Sequence, residues 1–131
     1  MREILFRGKR LDNGEWIYGD LIGDIDGNPF SKWIRRETSA EMVRVDYKTV
    51  GEFSGVYMYG KRIFEGDILK LDYIGPGRGV QGVAEVVFKY GKFCMPWGHR
   101  KELVPLDGFA NTTMEIIGNI HDNPELLEGG E

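Results

Sequence analysis

The sequence predicts a mostly β fold, an SH3-like small barrel or roll with hairpin additions and a short C-terminal helical turn. Glycine makes up 19 of the 131 residues, about twice its average share of ~7%. These glycines are scattered between short apolar or aromatic runs, and most of those runs alternate with polar residues. Such spacing is typical of short strands joined by tight turns. No linker interrupts it, so we predict a single domain over 1–131.

Three strands are predicted to open the chain as a meander, at 3–7, 15–22 and 30–35, where apolar and aromatic residues alternate with polar ones. Asn13-Gly14 between the first two strands predicts a two-residue type I′ turn, which requires positive φ at both positions. Asp26-Gly27-Asn28 is expected to turn the chain again before the third strand.

The next segments are extended, with one ambiguous stretch. Residues 37–42 have little pattern and are either a loop or a single helical turn, whereas 43–50, 49–55 and 61–73 have strand-like alternation. Residues 75–82 contain four glycines and a proline, and this composition predicts a loop.

The last third is predicted to hold a hairpin, a strand and a helical turn. The hairpin covers 82–97 with its turn at Tyr90-Gly91, and the strand covers 114–120. After the strand, Asn123 is a candidate N-cap and Pro124 suits the first helical position, which together predict a short terminal helix docked by its leucines.

Residues 55–61 have the spacing of a phosphate-binding loop, G-x-x-x-x-G-K. A phosphate loop needs small residues and a following helix, whereas here the interior is bulky (Val56, Tyr57, Met58, Tyr59) and a strand pattern follows. We therefore predict two β-turns, one at Gly60-Lys61 and one at Glu65-Gly66-Asp67, with Asp67 hydrogen-bonded to nearby backbone. Small SH3-like barrels often contain a glycine-aspartate turn that leads into an alternating strand, so this stretch supports such a barrel by analogy.

Several blocks of the chain together resemble the YopX family. They are REILFRGKRLDNGEWIYGDL (2–21), TVGEFSG (49–55), KRIFEGDILKL (61–71), GVAEVVFKYGKF (82–93) and EIIGNIHDNPELLE (115–128). The resemblance implies a small, mostly β protein encoded by bacteriophages and prophages, with an SH3-like barrel at its centre. It implies no reaction, because the family's role is unknown, and so no catalytic residue is transferred to this chain.

Composition and charge limit the cellular compartment and the partners expected for the protein. Cys94 is the single cysteine, so an intramolecular disulfide is impossible and a reducing compartment is expected, namely the cytoplasm of a bacterial host. No apolar run is long enough for a signal peptide or a membrane span, so we expect no membrane partner. The net charge of −4 is unlike that of strongly basic proteins, yet five acids lie in 115–131, and the rest of the chain is nearly neutral.

The sequence offers no set of residues for catalysis, a metal or a cofactor. Cys94 and His99 are five residues apart, but tetrahedral zinc needs four ligands and the chain holds one cysteine and two histidines. A lone cysteine on an alternating strand is usually a small core residue. Nothing in the spacing brings Cys94 to His121 as a nucleophile and its base. We therefore predict a protein that is not an enzyme and has no cofactor.

Cations at predicted turns form the remaining candidate site, because Gly-Lys-Arg occurs twice, at 8–10 and 60–62. If the two loops share one end of a barrel, their cations would contact a phosphate backbone beside aromatic rings that stack on bases. The alternative is that the cations serve solubility and the aromatics fill the core. The candidate nucleic-acid-binding residues are Arg7, Lys9, Arg10, Lys61, Arg62 and Tyr59, with Tyr57 and Trp16 as further stacking surfaces.

The function predicted from these observations is that of a phage or prophage accessory protein and non-enzymatic binding module. Its expected partner is nucleic acid, or a host or phage protein that handles nucleic acid. The alternative is a structural or assembly protein that acts through homo-oligomerisation, since an all-β domain with open edge strands can pair with copies of itself.

Overall fold

A computed structural model describes residues 3–23, 27–75, 78–97, 100–106 and 112–128. These residues form twelve strands, a short 3₁₀ turn and one short helix. The chain divides into two compact units, 1–56 and 57–131, and each unit is described by itself. The predicted single domain stays a prediction.

The first unit is built on an antiparallel sheet in which sequence neighbours pair as hairpins. Its strands are β1 (Phe6–Lys9), β2 (Trp16–Ile22), β3 (Ser31–Arg36), β4 (Met42–Asp46) and β5 (Gly51–Met58), with a 3₁₀ turn at Tyr47–Thr49. The last two residues of β5 are counted in the second unit. The order of these strands is β4-β3-β2-β1-β5. β1 therefore lies between β2 and β5, and the chain returns to it after the 3₁₀ turn.

One face of this sheet carries the core of the first unit. Ile17, Ile34, Val43 and Val45 are buried together, and the partly buried Phe6, Leu21 and Val50 pack around them. These residues come from β1, β2, β3, β4 and the segment before β5. In β2, β3 and β4 the buried members alternate with more exposed residues, because successive side chains of a strand point to opposite faces. Burial of this apolar face is what holds the strands in register.

The end of β1 also approaches the outer edge of β4. Arg10 forms an isolated antiparallel bridge with Val45, and the Leu11 backbone N–H donates to the Arg44 carbonyl at 3.3 Å. Gly8 makes this approach possible, because a Cβ there would lie 3.0 Å from Val45 Cβ. The bridge does not extend into a ladder, and the sheet stays open.

The second unit contains two three-stranded antiparallel sheets. Its elements are β6 (Lys61–Phe64), β7 (Asp67–Gly75), β8 (Arg78–Glu85), β9 (Val87–Lys89), β10 (Lys92–Trp97), β11 (Glu102–Pro105), β12 (Thr112–Asn119) and the helix α1 (Glu125–Glu128). The strand orders are β12-β7-β8 and β11-β10-β9, and β6 is the hairpin partner of β5.

The core of the second unit centres on β7, whose Ile68, Leu69 and Leu71 are fully buried. Two glycines let large groups pack closely against the sheet. A Cβ at Gly82 would lie 2.5 Å from Trp97 Cη2, and one at Gly118 would lie 2.9 Å from Leu126 Cδ1. Trp97 and α1 therefore lie where only glycine leaves room for them.

The prediction of a mostly β fold with a short terminal helix is confirmed by these elements. The described sheets are open and none closes into a barrel, and the SH3-like character stays a prediction. Cys94 is fully buried, as predicted for a core residue. Asp67 accepts a hydrogen bond from the Phe64 N–H, as predicted for the Glu65-Gly66-Asp67 turn.

Two turn predictions at the β1–β2 and β5–β6 connections were wrong in detail. Asn13-Gly14 is not a two-residue turn, since the Arg10 N–H donates to the Glu15 carbonyl across a four-residue loop. The second hairpin turns at Tyr59-Gly60 instead of Gly60-Lys61, because Lys61 is already the first residue of β6.

The prediction contained two larger errors. It made residues 75–82 a loop, and it contained no strand at the position of β11. Most of 75–82 is strand, since Gly75 pairs with Arg78 and the pairing continues along β7 and β8. β8 is a strand because it pairs with β7. Glycine content alone does not reveal such a partner, and the loop prediction was therefore wrong. The ambiguous stretch after residue 36 is a turn at 37–39 followed by β4. Asp26, the first residue of the predicted turn at Asp26-Gly27-Asn28, lies outside the described residues.

Candidate nucleic-acid interface

The β5–β6 hairpin places Tyr59 at the tip of a two-residue turn. Tyr59 has φ 52° and Gly60 has φ 79°, the pair of positive values that a type I′ turn requires. The Tyr59 side chain is 80% exposed. Its ring therefore projects from the hairpin and contributes almost nothing to the core.

Lys61 and Arg62 follow the turn on opposite faces of β6. Lys61 is exposed and Arg62 is partly buried, as the two-residue alternation of a strand requires. The available cation of this Gly-Lys-Arg tripeptide is therefore Lys61. It is separated from Tyr59 by one glycine, so a cation and an aromatic ring lie at the same tip.

The cations of β1 are engaged by the first unit itself. Arg7 is 6% exposed, and its Cζ lies 4.7 Å from the Trp16 ring centroid. Lys9, which is paired with Trp16 across the two strands, places Nζ 5.7 Å from the same ring. Both contacts lie within cation–π range. Trp16 thus already contacts two cations of its own sheet, which explains why Arg7 is buried.

Arg10 forms a bidentate pair with Asp12 in the β1–β2 loop. Its Nε and Nη2 donate to the two Asp12 carboxylate oxygens, each at 2.9 Å. The hydrogen bond from Arg10 is the main reason that the pKa of Asp12 is lowered from its ordinary value. Since the pair is solvent-exposed, it holds the guanidinium in place but stabilises the fold little.

A shallow groove of about 180 Å³ lies beside this pair and is lined by Arg10, Leu11, Asp12 and residues 41–44. Its charged lining is balanced, with two guanidinium groups from Arg10 and Arg44 against carboxylates from Asp12 and Glu41. A groove with balanced charge has no electrostatic preference for a polyanion. It is therefore a poorer phosphate site than the β5–β6 tip.

A second hairpin tip, absent from the predicted site, has the same geometry. The β9–β10 turn is Tyr90-Gly91 with φ 54° and 80°, and Tyr90 is 87% exposed. The signal in the sequence is the tripeptide Tyr-Gly-Lys, which occurs at 59–61 and again at 90–92. The repeated Gly-Lys-Arg, at 8–10 and 60–62, does not include this second tip.

The described residues considered for catalysis or metal binding lie on different elements, Cys94 in β10 and His121 in the turn after β12. The fully buried Cys94 donates from Sγ to the Lys92 carbonyl at 3.9 Å. The His121 N–H donates to Asn119 Oδ1 at the end of β12, and His99 lies outside the described residues. Within the described ranges, no group of three or more Cys, His, Asp or Glu could hold a metal ion.

The terminal helix docks through Leu126 at Gly118, as predicted, but the described bond of the Asn123 side chain is not that of an N-cap. The Asn123 side chain accepts from the Asn119 backbone N–H at 3.3 Å, so it ties the turn before α1 to β12.

In the part of the chain that the structure describes, no helix has the length and apolarity needed to cross a membrane.

Comparison with known proteins identifies the family. The YopX protein family model matches residues 5–128. The crystal structure of protein YopX from Bacillus subtilis is similar, with 23% identity and a TM-score of 0.64 over 94% of this chain and 97% of that chain. The structure of a protein from Enterococcus faecalis is also similar, with 18% identity and a TM-score of 0.59 over 97% of this chain and 99% of that chain. No curated protein sequence matches significantly. Since the family match spans nearly the whole chain, the protein belongs to the YopX family.

Proposed function

We propose that this protein is a non-enzymatic binding module for nucleic acid that uses the tip of the β5–β6 hairpin. The observation that carries the proposal is the 80% exposure of Tyr59 at a left-handed turn position, beside the exposed Lys61. A ring held away from the core is available to stack on a base, and the neighbouring ammonium is available to a phosphate.

At this tip the free energies of two contacts, base stacking on Tyr59 and phosphate binding by Lys61, add to each other. Stacking of a base on an aromatic side chain is favourable for every base, because each base has a π face. A lysine that neutralises a phosphate releases counterions and makes binding salt-dependent. Together these two contacts support binding with little sequence preference.

The cations of the first unit have a smaller part in this proposal. Arg10 can exchange Asp12 for a phosphate at little cost, because their ion pair is exposed. Lys9 and the buried Arg7 already contact Trp16, so a phosphate would compete with their own ring. Arg62 is partly buried, which leaves Lys61 as the main phosphate contact.

The test is fluorescence anisotropy of labelled DNA and RNA oligonucleotides, single-stranded and duplex, at about 50 and about 200 mM salt. We expect binding at low salt that falls steeply as salt rises. The variants Tyr59→Asn and Lys61→Gln should each weaken binding, whereas Lys101→Gln, at an exposed turn of the same unit, is the matched charge control.

Absence of binding by the unmodified chain at both salt concentrations would overturn the proposal. Equal losses in Lys61→Gln and Lys101→Gln would also contradict it, because general charge and not the tip would then be responsible.

The proposed setting is that of a bacteriophage or prophage accessory protein in the cytoplasm of a bacterial host. The single, fully buried Cys94 suits a reducing compartment. A protein that handles nucleic acid is the other partner class in this setting, and it would be recognised through the same exposed tip.

The alternative function is assembly through homo-oligomerisation, and the outer edge of β4 favours it. Arg10 and Leu11 approach that edge at Val45 and Arg44, while Met42 at the other end of the strand is 40% exposed. An incompletely covered edge can pair with a second copy. Light scattering between about 10 and about 200 µM tests this by mass action, with Met42→Lys as the variant expected to abolish association.

A further inference from the structure

We infer that the β9–β10 tip is a second binding site of the same kind, and that both tips take unpaired bases of a single-stranded nucleic acid. The inference rests on the proposed function, because it adds a site and a ligand class to it. Tyr90 and Lys92 are the contacts assigned to the second tip, in the positions that Tyr59 and Lys61 occupy at the first.

The two tips agree in sequence and in backbone geometry. Both read Tyr-Gly-Lys, with tyrosine φ values of 52° and 54° and glycine φ values of 79° and 80°. Their tyrosines, at 80% and 87%, are the two most exposed large apolar side chains among the described residues. One hairpin type thus presents the same ring and the same cation twice.

Tyrosine is a poor choice for these positions if only folding matters. Type I′ turns favour Asn, Asp or Gly at the first central position, because φ is positive there. A bulky residue with positive φ is uncommon and carries strain. Neither ring offsets that strain by burial, since both are almost fully exposed. The repeated tyrosine is therefore better explained by what its ring contacts outside the chain.

The flanking lysines of the second tip point to an anion. Lys89 and Lys92 are directly opposite each other across the β9–β10 ladder, and like charges in that position destabilise a hairpin. Glu85 lies within electrostatic reach of Lys89 and offsets part of its charge, which leaves Lys92 as the better contact. A phosphate beside Lys92 would relieve the repulsion between the two ammonium groups.

Further aromatic surface lies directly behind the second tip. Phe88 is 47% exposed, and its ring centroid is 4.8 Å from that of its cross-strand partner Phe93. The hairpin therefore continues from Tyr90 into a partly exposed aromatic pair. Because successive side chains of a strand alternate, this pair lies on the hairpin face opposite to Lys92, so a strand whose base stacks on Tyr90 would meet apolar surface on one face and the ammonium group on the other.

The shape of the tips favours single strands over duplexes. In a duplex the base faces are covered by their neighbours, so a protruding ring reaches only groove edges and phosphates. Unpaired bases expose their faces and stack on aromatic side chains. A ring held out at a hairpin tip therefore suits a base that has no partner.

The experiment compares Tyr90→Asn with Tyr90→Trp. Asparagine suits the left-handed turn position and removes the ring, whereas tryptophan keeps an aromatic surface. With a labelled single strand of about 16 nucleotides, we expect Tyr90→Asn to weaken binding by roughly 5- to 100-fold. Tyr90→Trp should keep the affinity within about threefold, because every aromatic ring offers a stacking face. The Tm of Tyr90→Asn should equal or exceed that of the unmodified chain, which separates lost contact from lost folding.

Salt dependence isolates the phosphate contact. The slope of log K against log salt is negative, and Lys92→Gln should make it less steep by about 0.7, the value for one phosphate on a single strand. Lys101→Gln removes the same charge from another exposed turn, where φ is 53°, and should leave the slope unchanged.

The outcomes separate this inference from the proposed function. If the unmodified chain binds no nucleic acid, both fail. If Tyr59→Asn weakens binding but Tyr90→Asn does not, the proposed function stands and the second site is refuted. Duplex binding as tight as single-strand binding would refute the assignment of unpaired bases, and an equal loss in Tyr90→Trp and Tyr90→Asn would refute stacking.

Discussion

Replacement of the buried Asp67 by alanine should destabilise the protein by about 2 to 4 kcal/mol. Asp67 is 3% exposed, as is Phe64, and its Oδ2 accepts from the Phe64 N–H at 2.7 Å. This bond closes the Glu65-Gly66 turn from which β7, the central strand of its sheet, begins. Loss of the carboxylate would leave a buried N–H without this acceptor.

The magnitude follows from two contributions. A hydrogen bond to a charged group contributes about 1.5 to 3 kcal/mol, and an unsatisfied buried donor costs about 1 to 3 kcal/mol. The two overlap, because the donor penalty is part of what the bond prevents, so their full sum would count it twice. The Val86 N–H that donates to the Asp67 carbonyl is a backbone contact and persists in every variant.

Urea unfolding followed by circular dichroism measures this effect, with an unchanged m-value as the sign that the unfolded state is the same. Asp67→Asn keeps an acceptor oxygen of similar shape and should lose only about 1 kcal/mol. The exposed Glu102 provides the control, and Glu102→Ala should leave the midpoint unchanged. A loss below about 1 kcal/mol in Asp67→Ala would refute the reasoning, because the buried bond would then contribute no more than an average one.

Two further predictions concern folding. Gly19→Ala should lower the free energy of unfolding by about 2 kcal/mol or more, because the new Cβ would overlap the Arg35 carbonyl oxygen and force β2 from β3. Gly23→Ala is the matched control, since nothing lies within 4 Å of its new Cβ. Equal urea midpoints for the two variants would contradict the prediction. Burial, and then the charge of Glu65, raise the pKa of Glu85 in the folded protein, while Lys89 opposes the shift. Since the folded pKa exceeds the unfolded one, this group stabilises the fold fully below about pH 4.5 and loses that contribution as pH rises through the folded pKa. Glu85→Gln should therefore raise Tm at pH 7 with a gain that shrinks towards pH 4, and a gain independent of pH would show that charge is not the cause.

Local pattern was sufficient wherever the determinants of a structure lie within a few residues. The turn at Tyr90-Gly91 lies where the sequence predicts, although the hairpin is shorter than the predicted 82–97, since 82–85 pairs with β7. The Asp67 bond spans only three residues. The same kind of reasoning failed for 75–82, because the residues that pair with β8 belong to β7 and supply hydrogen bonds that glycine content does not reveal.

The candidate site likewise has features that the sequence predicts and features that depend on tertiary contacts. Both Tyr-Gly-Lys tips can be read from the sequence once the repeat is noticed, since a two-residue turn forces its central residues outward. The burial of Arg7 cannot be read in this way, because it depends on Trp16 from the neighbouring strand. The pairing of Arg10 with Asp12 is local, but nothing in the pattern distinguishes it from two solvated charges.

The sequence by itself therefore determined the β class, the Tyr90-Gly91 turn, the buried cysteine and the family resemblance, all of which depend on short-range spacing or composition. The tertiary structure decided which cations are exposed and which are held by the fold. It also decided that the glycine-rich residues of β8 pair with β7 and that the described sheets stay open. The physical reason is that exposure and strand pairing are set by partners distant in sequence, whose positions are fixed only when the apolar faces of the sheets are buried together.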